Sequence, residues 1–293
     1  MRIDGGVKMG ARKTEKITNG ISYIFLAALA VLTIFPLIYA IAASFKPMSE
    51  LFSEAGRILP VHFTLDNYVT VFKSEVIDFK TMTFNSIYYT ICCVAFVLIA
   101  SSLNAYVFEV GHFPGRKVLF VVFSSLMFIN MGSITVYPLF DILNVIHLNR
   151  SLFGLILIKL LGIPIVNIVL VKSYITTLPK ELYEAAKIDG CSFTQTFFKI
   201  VLPLLKPILA TVGVLSFNAS WNEFLMPTIF TISNPSQQTL MVGINALKSS
   251  GESSSNWSIM LAASVIAVIP VLIAYCVGNK HFVKGLSAGA VKG

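Results

Sequence analysis

Charge is what this sequence has least of: 12% of its 293 residues are Asp, Glu, Lys or Arg, where soluble domains carry about 25%. Acidic residues are the scarcer sign, 14 against 22 basic ones. So low a charge content excludes an ordinary water-soluble domain. Cys and His are sparse too, four of each. Cys92 and Cys93 sit together in an apolar run, Cys191 and Cys276 are isolated, and His62, His112, His147 and His281 are scattered. With no CxxC, no HExxH and no second ligand at helical spacing, neither a zinc site nor a disulfide framework is indicated. The cysteines read as small apolar residues. No GxSxG nucleophile turn occurs. The nearest approach to a phosphate loop, Gly5 and Gly10 in the N-terminal tail, has Ala11 where the lysine belongs. Neither nucleotide hydrolysis nor intramembrane catalysis finds its residues here.

What the chain has in abundance is apolar length. Hydrophobic residues make up 56% of it, Phe alone occurs 23 times, and they fall in long runs rather than at amphipathic spacing. That pattern names lipid as the solvent and an all-α, polytopic membrane protein as the fold class. A spanning helix needs about 20 apolar residues, and six segments qualify, near 21–42, 84–108, 118–140, 151–171, 208–230 and 257–278. The first is too long for a signal-peptide core and no small-residue cleavage site follows it. The expected organisation is a cytoplasmic tail over 1–20, a six-helix membrane domain over 21–279 and a cytoplasmic tail over 280–293.

The net charge of +8 forms no stripe or cluster for a nucleic acid; the basic residues flank the apolar runs. With the N-terminus inside, 15 Lys and Arg lie in the inner segments and 6 in the outer ones, leaving Lys159 within a span. By the positive-inside rule both termini are cytoplasmic.

Between the fourth and fifth spans, residues 172–207 read as two short helices on the cytoplasmic side. Pro179 suits a first helical turn, Glu181 favours the N-terminal dipole, and Gly190 is placed for a left-handed cap. Ser192 with Gln195 forms a capping box, and Phe193, Phe197, Ile200 and Val201 give the second helix an apolar face until Pro203 and Pro207 interrupt it. Helix, glycine turn and helix with exposed aromatics make a compact docking knob, rigid enough to transmit a push.

These residues also carry a resemblance. Glu184, Ala185, Ala186, Gly190, Ile200, Leu202 and Pro203 match, at every fixed position, the EAA signature of ABC importer permeases. Ser102 to Phe108, the stretch from Tyr137 to Leu157 with Gly154, the run Trp221 to Leu225 with Pro227, and the C-terminal Phe282 to Gly293 resemble the subfamily that imports sugars, typified by the smaller permease of the maltose importer. The likeness covers about residues 20 to 293. It implies the type I permease fold and a coupling helix inserted into a cytoplasmic ATPase, with Glu181, Glu184, Ala185, Ala186, Asp189, Gly190, Ile200, Leu202 and Pro203 as the coupling set. It further implies a non-catalytic subunit of the bacterial inner membrane, paired with a second homologous permease and two ABC ATPase subunits. ATP and Mg are then bound by those partners, this chain holds no cofactor, and an extracytoplasmic solute-binding protein delivers an oligosaccharide.

Lys159 in the fourth span and Glu223 in the fifth are the formal charges well inside predicted helices, where charge is expensive and usually functional. At 1.5 Å per residue they lie roughly 12 and 10 Å below the outer ends, so an ion pair is geometrically possible. Either they fix helix packing, or they face the translocation path and meet sugar hydroxyls; an unpaired Lys159 would favour an acidic sugar. Asn218, Ser220, Trp221 and Asn222 beside Glu223 suit sugar binding, an aromatic ring among amides, and equally suit inter-helix hydrogen bonding. Asn104, Asn130 and Asn167 read as packing contacts. Two other classes compete with the importer subunit. A secondary transporter would need an ion-coupling site and usually an internal repeat, and a polytopic enzyme would need a catalytic constellation; neither is found.

Overall fold

The computed structural model describes the backbone of residues 4–54, 56–74, 77–129, 132–249 and 257–290. Side chains are described throughout these except at 4–17, 132–133, 248–249 and 279–290. All regular structure among the described residues is helical. The chain divides into two compact units, residues 1–71 with 251–265, and residues 72–250 with 266–293.

The first unit contains α1 (Asp4–Ser44), α2 (Met48–Ser53) and most of α3 (Asp66–Lys73). The expected boundary near residue 20 leaves no break in the backbone, because the tail and the first span form one helix. Over Thr18–Ser44 this helix is long and apolar enough to cross a membrane, and none of its most apolar window is buried within the chain. Ile21, Phe25, Leu29, Leu32 and Phe35 are all exposed. The segment after α1 is instead a polar knot. Buried Lys46 donates to the Arg57 carbonyl at 2.6 Å, and Asn67 donates to the carbonyls of Ser44 and Lys46, both at 2.8 Å. Buried Glu50 accepts from the backbone N–H groups of Val61 and His62 at 2.6 and 2.9 Å. Those two donors hold the Glu50 carboxyl below its usual range.

The second unit is organised around α4 (Phe79–Val110), capped by Asp78, whose carboxylate accepts from the Thr81 N–H at 3.1 Å. It covers the expected span 84–108 in one unbroken helix. The expected third span does not form a single helix. It divides into α5 (Arg116–Ser125), a 3-10 turn at Leu126–Phe128, a second at Gly132–Thr135, and α6 (Val136–Val145). Asn130 lies outside the described residues. Hydropathy alone reads 118–140 as continuous, since 3-10 and α turns do not differ in apolar content.

The fourth span is bent. α7 (Leu152–Leu161) and α8 (Ile165–Ile175) meet at 45° across Gly162, Ile163 and Pro164, where the proline cannot continue the hydrogen-bond ladder. Gly154 opens α7 against the preceding turn, where an added Cβ would overlap the Leu148 carbonyl oxygen. After α9 (Glu181–Ile188) come α10 (Phe193–Thr196), a π stretch over Phe197–Val201, and α11 (Leu202–Leu204). The widened π turn accommodates Pro203, which has no N–H and would clash with the carbonyl four residues back. Pro203 therefore does not interrupt the helix, contrary to expectation; the break is a 74° bend between Leu204 and Lys206, with Pro207 in the first turn of α12 (Lys206–Trp221).

The expected fifth span, 208–230, stops at Trp221 and resumes as α13 (Leu225–Thr231). After α14 (Leu240–Ser249), α15 (Trp257–Ala290) contains the sixth span over Trp257–Gly278. Among the described residues, three helices and up to two bent pairs are thus long and apolar enough to span, with α6 a shorter apolar helix. A buried core of Tyr106, Phe108, Ile168, Val171, Phe197 and Leu205 packs α4 and α8 against the π stretch and its bend.

Candidate functional site

Two places gather the residues singled out by the sequence. The first is the hairpin between α8 and α12. α9 begins after Pro179 and Lys180 with Glu181 and Glu184 in its first turn and Lys187 in its last, each sign placed to suit the helix dipole. Gly190 ends it with φ +74. The Cys191 N–H donates to the Ala186 carbonyl at 2.9 Å and the Gly190 N–H to the Lys187 carbonyl at 3.2 Å, the paired reversal of a Schellman cap. The next helix starts with the Ser192 and Gln195 capping box, both halves present at 3.2 and 2.9 Å.

Side chains of this hairpin divide sharply. Ala186 is buried, while Glu184, Ala185, Lys187, Ile188, Asp189 and Gly190 are exposed, Ile188 by 86%. Ile188 is the barest large apolar side chain of the hairpin. Phe193 and Phe198 are exposed, but Phe197 is buried in the core, so the apolar face of the second helix anchors as well as displays. The anchor on α4 is Tyr106, whose hydroxyl donates to the Phe193 carbonyl at 3.1 Å and whose ring lies 4.5 Å from Phe193 and 5.1 Å from Phe197. Lys172, at the end of α8, pairs with Glu109 of α4 at 2.7 Å and lies 4.7 Å from the centre of the Phe120 ring. Burial pushes the Tyr183 phenol up to about 12, aided by Tyr106 and Glu109, and its hydroxyl has no hydrogen-bond partner among the described residues. Tyr106 escaped the sequence reading because a tyrosine near the end of an apolar helix carries no signal of its own.

The second place is a cavity of about 600 Å³ walled by α4, the bend between α7 and α8, and the end of α12. Lys159 and Glu223 meet in its wall, Nζ to Oε1 at 2.8 Å, with side chains 38% and 20% exposed. The other carboxylate oxygen of Glu223 accepts from the Tyr89 hydroxyl at 2.7 Å. Tyr89 is a third member the sequence did not indicate.

Of the remaining candidates, Ser220 lines this cavity and so does Asn167, whose sequence context suits a packing contact. Trp221 does not. Its ring is 2% exposed, stacked on Phe217 at 5.7 Å, and its Nε1 donates to the Ala267 carbonyl at 3.0 Å, an inter-helix hydrogen bond, which is one of the two roles its sequence context suits. Asn222 donates back to Asn218 at 2.9 Å, and Asn218 borders a separate small apolar pocket near Tyr275. Asn104 donates within its own helix to Ala100 at 2.7 Å.

Residues 10–287 match the model of the binding-protein-dependent transport system inner membrane component family. The chain belongs to that family. This inner membrane component is 34% identical to the arabinooligosaccharides transport system permease protein AraQ of Halalkalibacterium halodurans, over 96% of its own length and 99% of the relative's. It is 33% identical to the galactooligosaccharides transport system permease protein GanQ of Bacillus subtilis, over 93% and 95%. To the polygalacturonan/rhamnogalacturonan transport system permease protein YtcP of the same organism it is 32% identical, over 95% and 99%. Among solved structures it superposes with TM-score 0.77 and 27% identity on a chain of a bacterial ABC transporter involved in the import of the acidic polysaccharide alginate. That match covers 92% of this component and 98% of the other chain. It shares the all-α, multi-pass architecture of ABC importer permeases, a class of non-catalytic membrane subunits.

Proposed function

We propose that this chain is the permease subunit of an ATP-driven importer, forming half of a translocation pathway for an oligosaccharide and driven through the hairpin from Glu181 to Pro203. The observation that carries the reading is the geometry of the hairpin: α9, closed by a left-handed glycine and followed by a helix held on α4 through Tyr106, leaves Ile188 bare at its end. Such a knob fits a cleft on a cytoplasmic ATPase. Glu181, Glu184, Ala185, Asp189 and Gly190 form or border its exposed surface, Ala186 gives it close packing beneath, and Ile200, Leu202 and Pro203 lie in the helix that transmits its movement.

In this reading ATP and Mg bind two partner ATPase subunits, and a second, homologous permease supplies the other half of the pathway. A solute-binding protein delivers the sugar to the outer face. The ATPases bias a two-state equilibrium between inward and outward access. The relatives' printed substrates, arabino- and galactooligosaccharides, support an oligosaccharide as cargo. The inner membrane, with both termini cytoplasmic, follows from the excess of Lys and Arg in the tails and in the hairpin.

Gly190→Val tests the coupling. A β-branched residue at φ +74 is strained by roughly 1–2 kcal/mol, which tilts or unwinds the end of α9. In the reconstituted complex, ATPase stimulation by the loaded binding protein should fall at least tenfold while the subunits still copurify. Uptake and stimulation at wild-type levels would refute the role of the hairpin.

A further inference from the structure

We infer that the cavity bearing Lys159 and Glu223 is a sugar subsite built by this chain, and that its internal charge pairing selects an uncharged glycosyl unit over a carboxylated one. The inference rests on the transport reading above and adds the charge class of the cargo.

At about 600 Å³ the cavity lies within the range of small-molecule sites, about 300–1,000 Å³. Its wall offers both halves of what a neutral sugar presents. Phe96 and Leu170 suit the apolar C–H faces of a pyranose or furanose ring, and the Asn167 amide and Ser220 hydroxyl each donate and accept, as sugar hydroxyls do. Ser216, in the same wall, carries a buried hydroxyl with no partner among the described residues.

The ion pair decides the charge class. Lys159 and Glu223 are the formally charged residues of the cavity wall, and at 2.8 Å they cancel. One ammonium N–H goes to Oε1 of Glu223, and the Lys159 nitrogen has two more to offer to a hydroxyl. The Tyr89 hydroxyl at 2.7 Å holds the other carboxylate oxygen and fixes the orientation of Glu223. A uronic acid entering here would bring an unbalanced negative charge beside Glu223, with no second cation in the cavity wall to meet it. Rejection by unpaired like charge is an effective route to specificity. The same lysine without its glutamate would attract that sugar.

The test uses the complete importer in nanodiscs, its ATPases and second permease present. Saturation-transfer NMR reads binding of galactotriose and arabinotriose as neutral probes and of trigalacturonate as the acidic one. Stimulation of ATP hydrolysis by the sugar-loaded binding protein is measured on the same preparation. At least one neutral trisaccharide should bind the wild-type complex and trigalacturonate should not. Glu223→Gln should raise the ratio of acidic to neutral binding at least tenfold, and Lys159→Met should leave trigalacturonate excluded. Equal binding of both classes to the wild type, or an unchanged ratio in Glu223→Gln, overturns the inference. So does the absence of binding by any probe with stimulation intact, the result expected if a partner permease side chain fills the cavity. Loss of stimulation in the wild-type complex would instead defeat the transport reading, and the inference with it.

Discussion

Lys159 and Glu223 stand 64 residues apart in the chain and 2.8 Å apart in space. Each alone would be an expensive charge in apolar surroundings, and together they are a dipole held between α7 and the break that separates α12 from α13. Removing one partner strands the other. Lys159→Met or Glu223→Leu alone should therefore destabilise the unit by about 1–3 kcal/mol. That is below the ~3–5 kcal/mol of a fully buried pair, because both side chains are partly exposed. The double variant should recover most of the loss. Thermal unfolding in detergent reads the cycle, and additive single effects would show that the contact carries no coupling. The sequence displayed both residues, since isolated charges in apolar runs stand out. It did not display Tyr89, an ordinary residue in a half-buried helix. For Trp221 it left a sugar contact and an inter-helix bond equally open, because the Ala267 carbonyl of α15 that the ring nitrogen meets lies 46 residues away, where no local pattern records it.

At the scale of elements, caps were more legible than continuity. Pro179, Gly190 and the Ser192 box mark the hairpin because each acts within four residues of itself. The bend at Gly162 to Pro164, the 3-10 turns before α6 and the π stretch at Phe197–Val201 keep the composition of a straight helix and so pass unnoticed by hydropathy. The polar knot after α1 was equally hidden, because Glu50 finds its donors 11 and 12 residues along the chain. Its consequence is a pH dependence with a definite sign. A carboxyl held low in the folded state contributes stability that is fully present above its unfolded value, about 4.3, and is lost as pH falls through the folded one. Melting of the segment 45–71 should move to lower temperature as pH is taken below about 4. Glu50→Gln should melt lower at neutral pH and show a flatter profile, checked by thermal scans from pH 3 to 7; identical slopes would remove Glu50 from the account.

For the whole molecule, the arrangement across the bilayer is the property read from charge alone. In a variant whose other cysteines are Ser, a membrane-impermeant maleimide should leave Cys191 unlabelled in intact spheroplasts and label it after permeabilisation, while Arg57→Cys should react at once. The opposite pattern would invert the topology. The fold class was legible because lipid leaves so few alternatives to helices for satisfying backbone groups.

The bareness of α1 carries one more consequence. A rod of apolar residues that rests on nothing in its own most apolar window must be held by its surroundings. For this polypeptide, extraction from the bilayer thus becomes a question of what replaces those surroundings. Co-expression with the second permease proposed above, or a detergent whose tails can line the full length of that helix, should govern whether the purified material stays monodisperse.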